Sequence, residues 1–190
     1  MCTGQKPFLV AAPRCFMMFY MNRKYSYLLF IPLILLIFLS LSFPCEALKG
    51  KRSRDGRYID NGDGTVTDKR TELMWTQKDS YADLGKCLNW YKSKKYVSKL
   101  RTGGYNDWRI PTVEELKTIF EQSKSNKNYR GSPSRIDPIF ASRGAWWYWS
   151  SDTVGPCCAR GIVFDTGKVG QGIRSTCGDG GARAVRGWQY

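Results

Sequence analysis

The side chains best equipped for covalent chemistry are the four of the chain's seven cysteines that follow residue 48, Cys87, Cys157, Cys158 and Cys177, and the whole chain has no histidine. Without an imidazole there is no Ser-His-Asp or Cys-His nucleophile activation, no His-ligated zinc and no histidine proton shuttle. An even set of cysteines in an oxidising compartment reads as disulfides. Bridging adjacent Cys157 and Cys158 is sterically awkward, so the expected pattern joins Cys87 to one of them and Cys177 to the other. Free thiols at Cys157-Cys158 are the minority alternative. The Asp60-Asn61-Gly62-Asp63-Gly64 cluster resembles a calcium loop, but with Asp60 at position one the glycines fall where positions three and five need oxygen ligands. It reads as a hairpin turn. No catalytic residue, metal or cofactor is assigned.

The other chemistry on offer is charge and stacking. Of 30 Lys+Arg and 16 Asp+Glu, four and one precede residue 48, leaving 26 against 15, a net charge of +11. Lys92, Lys94, Lys95, Lys99 and Arg101 gather at the end of a helical pattern, and Arg130 stands in a polar loop. Such a surface suits sulfated or acidic polysaccharide, with no nucleic acid expected; a generally basic solvated exterior is the plainer reading. In Trp146-Trp147-Tyr148-Trp149, a strand's two-residue period cannot place every ring on one face. At least one of Trp146 and Tyr148 is therefore expected outward or in a loop pocket, where it could stack on a sugar. Trp75, Trp108, Trp149 and Val185 read as core.

Positioning these groups requires a fold, and the chain suggests one exported domain. Residues 21–47 read as a secretory signal: a basic start at Asn22-Arg23-Lys24, an apolar run from Tyr27 to Phe43, and the small-residue exit at Ala47. An uncleaved anchor is the alternative and the only expected link to a membrane. Residues 1–20 read as an upstream extension ahead of a better start at Met21, residues 48–57 as a basic flexible arm, and residues 58–190 as the folded part. The expected location is periplasm, cell surface or medium.

Within that part, two β-prone runs flank the Asn61-Gly62-Asp63-Gly64 turn, and Leu73-Met74-Trp75-Thr76 reads as a buried strand. A helix is expected from Ser80, burying Leu84, Cys87, Leu88 and Tyr91. Pro111 ends a short aromatic strand, and Thr112 with Glu115 spells a capping box for a second helix burying Val113, Leu116, Ile119 and Phe120. Arg109 can pair with Glu114 or Glu115 there. Residues 122–135 read as a long surface loop and the remainder as strands ending near Val185-Arg186.

The order of these blocks is similar to a known family. Asn61-Gly62-Asp63-Gly64-Thr65-Val66-Thr67-Asp68, Leu73-Met74-Trp75, Gly104-Tyr105-Asn106-Asp107-Trp108-Arg109-Ile110-Pro111-Thr112, Tyr148-Trp149-Ser150-Ser151 and Val185-Arg186 resemble the Lcl C-terminal domain family. The resemblance implies an α+β, C-type-lectin-like fold, with two helices on a small, mostly antiparallel twisted sheet with long loops. It also implies a secreted or surface protein with sulfated-glycan binding and adhesion. The collagen-like Gly-X-Y stalk of the namesake is missing from this chain, so trimerisation does not carry over. A noncatalytic binding domain is the leading expectation. The alternatives are an envelope structural subunit with an acidic protein partner and a relative of the formylglycine-generating thiol oxidases.

Overall fold

A computed structural model describes residues 50–187, all within the second of the chain's two units, Glu46–Tyr190. The expected signal and upstream extension lie outside the described residues. The fold is α+β, in chain order β1 (Lys51–Arg52), β2 (Tyr58–Asp60), β3 (Thr65–Asp68), β4 (Met74–Thr76), α1 (Ser80–Leu84), α2 (Trp90–Val97), α3 (Val113–Ile119), β5 (Asn126–Lys127), β6 (Pro133–Ser134), β7 (Trp147–Val154), β8 (Cys158–Val163), β9 (Val169–Ile173), β10 (Gly180–Gly181) and β11 (Val185–Arg186). One sheet runs β1-β2-β3-β4-β11, a second β10-β7-β8-β9, and β5-β6 form a separate hairpin. Pairing between these strands is antiparallel except between β10 and β7. Among the described residues, no helix is long and apolar enough to cross a membrane.

Local chemistry builds the first sheet. Asp60 Oδ1 accepts the Gly62 N–H and Asp63 Oδ1 accepts the Thr65 N–H, so the acidic turn between β2 and β3 uses its carboxylates on its own backbone. The basic segment expected to be a flexible arm instead contributes β1, paired to β2, because Ser53 Oγ accepts from Tyr58 N and donates to Asp55, which closes the connecting turn. Arg57 then reaches Asp68 at 2.5 Å and Glu121 at 3.2 Å. The expected loop over residues 122–135 also differs, since it folds back as the β5–β6 hairpin.

The expected first helix is two. Asp79, not Ser80, is the N-cap of α1, its Oδ1 accepting from Tyr81 N and Ala82 N. Gly85 then adopts φ +67°, the left-handed conformation that ends a helix, and Asn89 caps a new one through Lys92 N. The break rotates the apolar stripe out of register, leaving Leu84 and Tyr91 44 % and 51 % exposed. Among the described residues, three short α-helices therefore stand where two were expected.

The main core joins Tyr58, Val66 and Trp75 of the first sheet with Val113, Leu116 and Ile119 of α3 and with Tyr148, Ile162 and Phe164. A second cluster gathers Trp90, Trp147, Trp149 and Ala159. Here the rings lie on strands kept bare by glycine: a Cβ on Gly161 would sit 2.5 Å from the Trp147 ring, and one on Gly172 2.7 Å from that of Trp149. The Trp149 indole N–H donates to Leu88 O and that of Trp90 to Ser150 O, which fixes α2 to the second sheet.

The disulfides correct the expected pairing. Cys87 bonds to Cys177, with Cα atoms 5.7 Å apart, and Cys157 bonds to its neighbour Cys158. Hydrogen bonds from Leu88 N to Gly180 O, Trp90 N to Arg174 O and Asn89 Nδ2 to Ser175 O draw the α1–α2 link against the segment before β10. Cys87 and Cys177 meet there, while Cys157 and Cys158 have only each other at the start of β8.

Candidate functional site

The helix α2 sorts its side chains by angle. At 100° per residue, Trp90, Ser93 and Val97 point inward and are buried, leaving Tyr91, Lys92, Lys95 and the following Lys99 on one outward arc. Lys92 and Lys95 are three residues apart and Lys95 and Lys99 four, so their stems are neighbours. Like charges at this spacing each cost a helix about 0.2–0.5 kcal/mol. The first turn of α2 contains no acidic residue to offset them.

An open groove of about 550 Å³ is lined by Lys86, Lys92, Lys95 and Lys99 together with Leu84, Cys87, Leu88 and Tyr96. Asp83 is already engaged by the Tyr96 hydroxyl at 3.0 Å. Burial of that hydroxyl, with Asp83 beside it, pushes the Tyr96 pKa up, so it stays a protonated donor throughout the physiological range. Among the described residues, Lys86, Lys92, Lys94, Lys95 and Lys99 form no ion pair, as is also true of Lys51, Arg52 and Arg54, whereas Arg57, Arg109, Lys117, Lys124, Arg130, Arg183 and Arg186 all do.

The structure brings together Lys92, Lys95 and Lys99 and adds Lys86, which sequence reasoning passed over because it lies in the link between two helices read as one. Lys94 leans the other way, its Nζ 4.8 Å from the Trp90 ring, and lines a separate apolar cleft with Trp108 and Val97. Arg101 is exposed and turns its guanidinium onto Leu100 O. Arg130 stands apart on the β5–β6 turn, bonded to Asp179 and Tyr129, so its charge is already met.

The two aromatics proposed for sugar stacking differ in exposure. Tyr148 is buried in the main core with its hydroxyl on Asp79, and Trp146 is half-buried with its indole N–H on Asp165 at 3.0 Å. The second sheet turns Tyr148 toward the main core and Trp147 and Trp149 toward the other face, so both faces are covered. Among the described residues the exposed aromatic is Tyr91, which the apolar spacing predicts to be in the core. Periodicity alone signals the opposite, and only the Gly85 and Asn89 caps reveal the break.

The remaining motif residues hold the frame. Trp75, Trp108 and Trp149 are buried. Arg109 grips Glu115 through both nitrogens, at 2.7 and 2.5 Å, while Glu115 accepts from Thr112 N and donates its own N–H to Thr112 Oγ1. Burial opposes ionisation of Glu115, but the Arg109 and Thr112 hydrogen bonds outweigh it and lower the pKa. The Pro111 carbonyl accepts from Ser151 N, tying this corner to β7. Arg186 binds Asp107 at 2.8 Å and stacks over Tyr105, holding the Asp107 carboxyl below its ordinary range.

A larger cleft, about 750 Å³, lies against β1, lined by Lys51, Arg52, Arg54 and Lys124 together with Asp60 and Asp137, of which Asp137 is paired with Lys124. Its lining mixes acids with cations, whereas the α2 groove is lined by lysines and no carboxylate. Among the described residues there is no group of three His, Cys, Asp or Glu placed to hold a metal. Residues 64–186 match the family model described as the Lcl C-terminal domain. A comparison with curated proteins gives no match.

Proposed function

Since the chain belongs to the Lcl C-terminal domain family, we propose that it is a noncatalytic recognition domain that holds a sulfated or otherwise anionic glycan along the basic arc of α2. The observation that carries this reading is the set of four lysines around one groove, Lys86, Lys92, Lys95 and Lys99, with no ion pair to any described residue. Sulfate or carboxylate groups along a polymer supply several acceptors at once, and each lysine ammonium offers three donors. Tyr91, half exposed beside Lys92 with the Arg174 guanidinium 5.8 Å from its ring centroid, offers an aromatic surface to a sugar. A C-type-lectin-like arrangement is part of the same proposal, as is export to an oxidising compartment, which two disulfides favour.

Retention on immobilised heparin tests this reading. The protein is expected to elute at higher salt from heparin than from a plain sulfonate exchanger of equal charge density, and the difference to vanish for Lys92→Glu/Lys95→Glu/Lys99→Glu. Equal elution of the parent from both resins would remove the glycan and leave only general basicity.

A further inference from the structure

We propose that Cys157–Cys158 is a thiol–disulfide exchange site for a dithiol, separate in role from the structural bridge Cys87–Cys177. This inference does not rest on the glycan reading. A disulfide stabilises chiefly by closing a loop of the unfolded chain, so its effect depends on how many residues it encloses. Cys87–Cys177 spans 90 residues and fastens the start of α2 to the segment before β10, whereas Cys157–Cys158 spans one and fastens no element to another.

The local structure is held without that bond. Val154 pairs with Cys158, and Thr153 with Ala159. The Arg174 N–H donates to Cys157 O at 2.9 Å, and its guanidinium donates to the Pro156 carbonyl. Breaking the sulfur–sulfur bond therefore leaves the strand pairing and the Arg174 link in place. Accessibility completes the case, since Cys157 is exposed at the β7–β8 tip while Cys158 and Cys177 are half-buried. Cys158 shares its strand face with the exposed Arg160, two residues on.

The reaction is a two-electron exchange. A thiolate of the dithiol attacks Cys157 Sγ, forming a mixed disulfide and breaking the bond to Cys158, whose sulfur leaves as a thiolate and takes a proton from water. The second thiolate of the dithiol then attacks the mixed disulfide at its own partner sulfur, closing the oxidised dithiol and releasing Cys157, which is protonated in turn. The dithiol is oxidised by two electrons and the cysteine pair reduced by two.

The test equilibrates the full chain in graded mixtures of reduced and oxidised dithiothreitol, traps thiols with N-ethylmaleimide and locates the label by mass spectrometry. Cys157 and Cys158 are expected to become labelled at a reduced-to-oxidised ratio at least tenfold lower than Cys87 and Cys177. Simultaneous opening, prior opening of Cys87–Cys177, or pairing of Cys157 or Cys158 with Cys87 or Cys177 would overturn the proposal. A second variant guards against a folding artefact: Cys157→Ser/Cys158→Ser should keep the circular dichroism of the parent and consume one fewer equivalent of dithiol. Loss of its folded spectrum, or undiminished dithiol consumption, contradicts an exchange role.

Discussion

Two cationic regions of this molecule are opposites. Arg183 is wholly buried; one of its terminal nitrogens donates to Thr76 O and Gln77 O, and the other to Asp79 at 3.2 Å and the Tyr148 hydroxyl at 3.3 Å. Asp79 also accepts from Tyr148 and from Ala145 N, and its other oxygen caps α1. Burial pushes the Tyr148 hydroxyl pKa up, with Asp79 acting in the same direction, so the phenol remains a donor inside this cluster. The lysines of α2 have none of this. They stand in solvent, repel one another and meet no carboxylate. A charge surrounded by its own partners holds the fold together, and one without partners is left to meet something else.

Removing an acid from the buried cluster should have the largest effect. Asp79→Ala strands the Arg183 charge in the core and unmakes the α1 cap, so it is expected to cost about 3–5 kcal/mol in urea unfolding. A cost under about 1 kcal/mol would erase the contrast with the surface. On α2 the consequence falls on binding. Lys92→Glu/Lys95→Glu/Lys99→Glu is expected to weaken heparin affinity by at least tenfold, about 1.4 kcal/mol, with unfolding stability within about 0.5 kcal/mol of the parent. A matching loss of stability would show that these lysines hold the fold after all.

Smaller effects sharpen the same division. Thr112→Ala removes one half of the capping box and should cost about 1 kcal/mol with heparin affinity unchanged. Acid should act on the paired carboxylates. Asp68 resists the rise that burial would bring because Arg57, Arg70 N and Thr71 hydrogen-bond to it, and its pKa lies below the ordinary 3.8, as that of Glu115 lies below 4.5. Both carboxyls are depressed in the folded state, so their contribution is complete above those ordinary values and is lost as pH falls through the lower folded ones. Equilibrium unfolding should therefore show flat stability between pH 6 and 8 as far as these groups go and a decline below about pH 4. A decline already complete at pH 5 would contradict the assignment.

What could be read from the sequence was short in range. The Thr112–Glu115 box, the β2–β3 turn and most of the later strands depend on residues within a few positions of one another, and these signals translate directly into backbone hydrogen bonds. The division of the first helix also has local signals, Gly85 and Asn89, but the apolar spacing from Leu84 to Tyr91 imitates an unbroken stripe and masks them. Partners far apart in sequence were not legible. Arg183 finds Asp79 across 104 positions and Cys87 finds Cys177 across 90, and no spacing rule selects those over other acids and thiols. The basic arc was half legible: Lys92, Lys95 and Lys99 follow from helical spacing, whereas the exclusion of Arg130 by Asp179 and the addition of Lys86 require the fold.

Titrating the protein with a heparin oligosaccharide while following backbone amide shifts tests the central assignment most directly. Perturbations are expected to concentrate between Lys86 and Lys99, to saturate, and to fade as salt is raised. Shifts centred on the cleft edged by Lys51, Arg52 and Arg54, or spread evenly over every exposed cation, would contradict a built anion site on α2.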